Sequence, residues 1–199
     1  MNIDINQLLE KHELWLNTEG KQGKQLSLDG FVMASLSEKK RRLLIDSFLA
    51  DCSFENMELN DIDLYRSEMH SCQFKDIKIN KVSFAKCDIN ITSFNNASLN
   101  NSSFHNAELY ECTFRSCKLI DVSFAGVSIW KTSFGNCILQ NINFEDAMLS
   151  ELMMANTTLI NPQNLEKACE ITINVGTPDS PVILSKQDSI AWIKAHSQS

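Results

Sequence analysis

Residues 83–104 read SFAKCDINITSFNNASLNNSSF, with Phe84, Phe94 and Phe104 ten apart and Ile89 and Leu99 midway between them. A large apolar residue every five positions suits neither the roughly 3.6-residue turn of a helix nor the alternation of a strand. The period extends both ways without insertion or skip, from Leu49, Phe54, Leu59 and Leu64 to Phe144, Leu149, Met154 and Leu159. Two positions ahead of each large residue usually stands a smaller one, as with Cys87, Thr92, Ala97 and Ser102. Such a pair lies on one side of an extended segment, so both members can enter a core. The other three positions are mostly Ser, Asn, Asp, Glu or Lys and must face water or turn a corner. Each pentad is therefore a short wall and a bend. Successive walls wind into a coil whose turns stack at about 4.8 Å and stabilise one another by contact.

The unit, as in Ala97-Ser98-Leu99-Asn100-Asn101 or Ala107-Glu108-Leu109-Tyr110-Glu111, resembles the pentapeptide-repeat family, whose consensus is A-[DN]-L-x-x. Here the second position is often Ser, Glu or Lys instead. The opening HELWLNTEGKQGKQLSLDG, residues 12–30, is similar to the lead-in before such repeats. The resemblance implies an all-β fold, a right-handed quadrilateral β-helix with four pentads per coil, in which residues twenty apart stack. Phe54, Phe74, Phe94, Phe114 and Phe134 then form one inner ladder, and Phe84, Phe104, Phe124 and Phe144 another on the opposite wall. Aliphatic ladders fill the walls between, so a narrow square core closes without voids.

A solenoid needs caps at both ends. Residues 1–46 are expected to form an N-terminal helical cap and an irregular first coil, 47–161 the repeat β-helix, and 162–199 a C-terminal cap with a helix. In the first part, Ile5, Leu8, Leu9, His12, Trp15 and Leu16 recur at helical intervals. Leu26, Phe31 and Leu36 keep the five-residue spacing, and SEKKRRLLIDSF (37–48) breaks it as a solvated turn or short helix. Beyond Pro162, QNLEKAC reads as a short helix. SKQDSIAWIKAH reads as a longer one capped by Ser185 with Asp188, either folding back on the rod or forming a homodimer.

Composition narrows the function. A net charge of −7 disfavours direct nucleic-acid binding, which requires a basic surface. The N-terminus does not read as a signal peptide and no apolar run is long enough for a membrane span, so a bacterial cytoplasmic location is expected. Six of the seven cysteines, Cys52, Cys72, Cys87, Cys112, Cys117 and Cys137, occupy the small slot, where they alternate with Ala, Ser, Thr and Val. That is the behaviour of buried reduced thiols, with metal or redox chemistry as the alternative. No CxxC occurs, and the four histidines are scattered. No phosphate loop, GxSxG or HExxH motif is present, so no enzyme, cofactor or metal site is expected.

Function then lies on the outer surface. On the wall of Met69, Ile89, Leu109 and Ile129, the preceding slot carries Glu68, Asp88 and Glu108; the following slots carry His70, Tyr110, Trp130 and Glu111. Stacked like charges repel and serve no structural need, while exposed Tyr and Trp are enriched at binding hot spots. Tyr65 and His105 belong to the neighbouring wall. The strip reads either as a solvated ladder or as an acidic–aromatic docking site for a protein. The expected role is a non-enzymatic protein-binding scaffold, as a toxin-neutralising immunity protein, effector or adaptor. The resemblance also implies an alternative, because the family includes quinolone-resistance proteins that mimic duplex DNA and modulate DNA gyrase. Against it, residues 47–161 hold 14 acidic and 8 basic residues, a net of only −6, and no loop interrupts the repeat.

Overall fold

The computed structural model describes residues 4–198. Three walls are parallel sheets of eight, five and seven strands, each strand mostly three residues long. The first wall runs through Phe48–Ala50, Glu68–His70, Asp88–Asn90, Glu108–Tyr110, Ser128–Trp130 and Met148–Leu152. The second runs from Ser53–Glu55 to Ser133–Gly135, and the third from Glu58–Asn60 to Thr158–Ile160. The fourth has only single bridges, Asp63 to Ser83, Ser103, Ser123, Asn143 and Gln163 in turn. Its chain turns too soon to form strands. Asp63 Oδ1 accepts from Tyr65 N at 2.9 Å and Ser103 Oγ from His105 N at 3.2 Å, the local turns that Asp and Ser favour. The twenty-residue register holds throughout the repeats, as in Leu109 over Ile89 and Phe114 over Phe94, and the four-walled β-helix is the fold of this chain.

The inside follows from the pentad. Phe94 stacks on Phe74 at 4.6 Å and on Phe114 at 4.4 Å between ring centroids, with planes 10° and 2° apart. The opposite ladder meets it edge-on, Phe84 to Phe94 at 6.4 Å and 80°. Both arrangements suit the ring quadrupole.

The small slot does more than save space. Cys87 Sγ donates to the Leu64 carbonyl at 2.9 Å, and Cys72, Cys112 and Cys117 donate to Leu49, Ile89 and Phe94. Thr92 Oγ1 accepts from Cys72 N at 3.2 Å and Thr132 Oγ1 from Cys112 N at 3.2 Å. Cys, Ser and Thr thus bond main-chain groups inside the rod. All seven cysteines are free, and burial pushes Cys87 and Cys112 up to about 12.

The corners have one backbone device. Every fifth residue from Asp46 to Asn161 has φ between 48° and 65°, and from Asp46 to Asn141 its N–H donates to a carbonyl one coil on, as Asp51 does to His70. Asn and Asp tolerate this left-handed conformation best, and they fill most of these corners. Some corner side chains also bond from one coil to the next: Asn96 Nδ2 donates to Asp76 Oδ1 at 2.6 Å and Asn156 Nδ2 to Asn136 Oδ1 at 3.3 Å.

Helix α1 (Ile5–Asn17) starts at Asp4, whose carboxylate accepts from Asn6 N, and buries Leu9 and His12. The His12 ring is fully enclosed: Nδ1 accepts from Leu26 N at 3.0 Å and Nε2 donates to the Ile45 carbonyl at 2.8 Å. Gly23, at φ +76°, lies so close to α1 that a Cβ would collide with the Lys11 carbonyl. The first coil is out of phase with the spacing of Leu26, Phe31 and Leu36. Its strand Ser27–Asp29 sets Leu28, not Leu26, beneath Leu49, and Val32 bridges Ser53. The step there is twenty-one residues. Leu26 and Phe31 thereby fall into the small slot, two residues ahead of the buried Leu28 and Met33. Helix α2 (Glu38–Arg41) fills the break before the regular repeat.

At the other end, residues 165–167 form one 3-10 turn, and Glu170–Ile173 then adds a strand to the first wall. That strand does not follow from the five-residue pattern, because the Met148–Glu170 pairing lies off the twenty-residue register. Helix α3 (Lys186–Ala195) buries Ile193 and Ser189 against the rod, and Ser189 Oγ accepts from Ile173 N at 3.0 Å. Ser197–Gln198 finally pairs with the third wall.

Candidate docking wall

Parallel register brings Glu68, Asp88 and Glu108 into one column on the first wall, exposed and one strand apart. Two residues along each strand, on the same outer side, lie His70, Tyr110 and Trp130. The Tyr110 and Trp130 rings are 5.0 Å apart at 53°, and Trp130 is 43% exposed. Its Nε1 donates to Glu151 at 3.3 Å, while Lys131 Nζ lies 4.7 Å from the ring centroid. Glu111 occupies the corner beyond Tyr110, and its carboxylate pushes the Tyr110 hydroxyl pKa up.

The two fourth-wall candidates separate. Tyr65 shares a concavity of about 560 Å³ with Glu68 and Asp88, so it adjoins the acidic column around a corner. Arg66 and Lys86 line that concavity too, and Lys86 Nζ sits 5.6 Å from the Tyr65 ring. His105 stays with its own wall: Nδ1 donates to the Ala125 carbonyl at 3.0 Å and Nε2 accepts from Asn106 at 3.2 Å.

Three apolar residues on this wall were not among the candidates. Phe48 and Met148 continue the acidic column at 40% and 47% exposure, and Ile91 occupies a corner at 50%. Ile91 has φ 53°, a conformation a β-branched side chain adopts only under strain. The register alone could have found them, since each stands where neighbouring rungs are polar.

Charge is distributed one-sidedly. The first wall and its corner carry Asp51, Glu68, Asp88, Glu108, Glu111 and Glu151 against one cation, Lys131. The other three walls of residues 47–161 share the remaining eight carboxylates and seven cations, so they are nearly neutral. Five of the six net charges of the repeat thus lie on one wall. Among the described residues, no group of three His, Cys, Asp or Glu is placed to hold a metal, and no helix is long and apolar enough to cross a membrane.

Residues 47–124 match the model of the pentapeptide repeat region. That stretch of the chain belongs to the pentapeptide-repeat family. Among solved pentapeptide-repeat structures, full-length QnrB1, a plasmid-mediated fluoroquinolone resistance protein, is 12% identical, with 86% of this chain and 96% of that one covered and a TM-score of 0.43. HetL, involved in heterocyst differentiation regulation in the cyanobacterium Nostoc sp. strain PCC 7120, is 12% identical over 76% of this chain and 92% of its own, with a TM-score of 0.20. No curated protein matches the sequence.

Proposed function

We propose that this pentapeptide-repeat rod is a rigid scaffold whose first wall docks a protein partner, in a toxin-neutralising, effector or adaptor role. The observation that carries it is the coincidence on one face of nearly all the net charge with exposed Trp130, Ile91 and Met148. An apolar and aromatic centre beside a charged rim is the usual anatomy of a protein interface. One-sided charge also favours this reading over DNA mimicry, since the second and third walls offer no net negative surface.

The test pairs Trp130→Ala with Glu108→Lys, and sets beside it a control on the third wall, Lys78→Glu with Lys118→Glu. The expected result is that capture of the native partner is lost with the first variant and kept with the control, both remaining folded. Equal capture by both eliminates the wall as the docking site. Gyrase supercoiling, assayed with and without a quinolone, checks the alternative; a change caused by the protein at either condition supports the topoisomerase reading instead.

A further inference from the structure

The second wall carries a cleft of about 790 Å³, within the roughly 300–1,000 Å³ of small-molecule sites. Its floor includes Thr113–Arg115 and Ser133–Gly135, with Met153 and Ala155 above them. Beyond Ile173 the chain leaves the coil and doubles back, Asn174 bridging Ile183 and Thr177 bridging Ser180. The first half of that hairpin lines the cleft, together with Trp192 of α3.

Gly135 is the informative residue. It lies in a strand, where glycine weakens pairing and commonly marks the close approach of a ligand or another backbone. Its φ is not left-handed, and a Cβ built on it meets nothing within 4 Å. Neither conformation nor packing therefore requires glycine there. What its missing side chain leaves is open floor, continued by Ala155 one rung above and bounded by Arg115 one rung below. Arg115 makes no ion pair among the described residues and is the one charged residue lining the cleft. In a chain of net charge −7, this recess is locally positive. A guanidinium fork matches a carboxylate in two parallel hydrogen bonds. Trp192, Met153 and Pro178 present apolar surface around it.

We propose that the cleft binds a small organic carboxylate with a flat apolar body, the carboxylate on Arg115 and the body over Gly135. The site is separate from the docking wall. To test it, 15N-labelled full-length protein is titrated with 2-naphthoate and, in parallel, with its neutral counterpart 2-naphthamide. The naphthoate is expected to move the Gly135 amide and Trp192 indole signals, and the amide to bind about tenfold more weakly or worse. Arg115→Gln should weaken naphthoate by a similar factor and bring it level with naphthamide. Gly135→Leu fills the floor and should abolish binding without lowering the urea midpoint; Ala155→Leu does the same should the first variant misfold. The proposal is overturned if naphthoate moves neither signal, if Arg115→Gln binds it as wild type does, or if a folded floor-filling variant keeps its affinity.

Discussion

Phe94→Ala is the sharpest probe of the core. Phe94 is completely buried, stacked on Phe74 and Phe114 and met edge-on by Phe84 and Phe104 at 6.4 and 6.5 Å. Truncating a buried Phe costs about 3–5 kcal/mol, and each lost aromatic contact adds about 0.5–1.5 kcal/mol beyond area. Phe94 should therefore fall at the upper end, about 5 kcal/mol. Phe144, near the rod's end, has a single aromatic neighbour, Phe124 at 6.1 Å, and should cost about 3 kcal/mol. A double-mutant cycle isolates the stacking. Phe94 with Phe114 should couple by about 1 kcal/mol, whereas Phe94 with Phe134, two rungs away, should add within about 0.5 kcal/mol. The assay is equilibrium urea unfolding followed by far-UV circular dichroism, with the slope checked for constancy. Equal costs at positions 94 and 144, or equal coupling across one rung and two, would refute the stacked-column account.

Ile91→Asn should raise stability by about 1 kcal/mol, because the left-handed corner strains isoleucine by about 1–2 kcal/mol and the half-exposed side chain gives up little burial; a lower urea midpoint would count against the strain. His12 has its pKa lowered, chiefly by burial, so the unfolded chain takes up a proton that the folded chain refuses. Stability linked to His12 is therefore complete above about pH 6.5 and declines as pH falls below that value towards the lowered folded pKa. Thermal midpoints measured from pH 8 downward should show this loss in the wild type and not in His12→Gln; parallel profiles would remove His12 as the cause. In the native protein Ellman's reagent should titrate Cys169 alone, since it is exposed while the other six thiols are buried, and rapid labelling of further thiols would contradict the closed interior.

The period of five determined the facing of each slot, and the vertical neighbours followed once the resemblance to the pentapeptide-repeat family implied four pentads per coil, because a coil of constant step converts sequence distance directly into stacking. Glu68, Asp88 and Glu108 could be aligned, and Phe94 placed over Phe74, without coordinates. Tertiary structure decided whatever broke the step. Leu28 lies beneath Leu49, where a twenty-residue step would put Asp29, because the first coil takes twenty-one residues, and Glu170–Ile173 joined the first wall across a bulge. The roles of His12 and of the cysteine thiols were hidden for a related reason: their partners are main-chain groups of other coils or of the cap, and a backbone carbonyl leaves no mark in the residue code. Gly135 likewise reads as an ordinary outward position until the returning hairpin makes its emptiness the floor of a cleft.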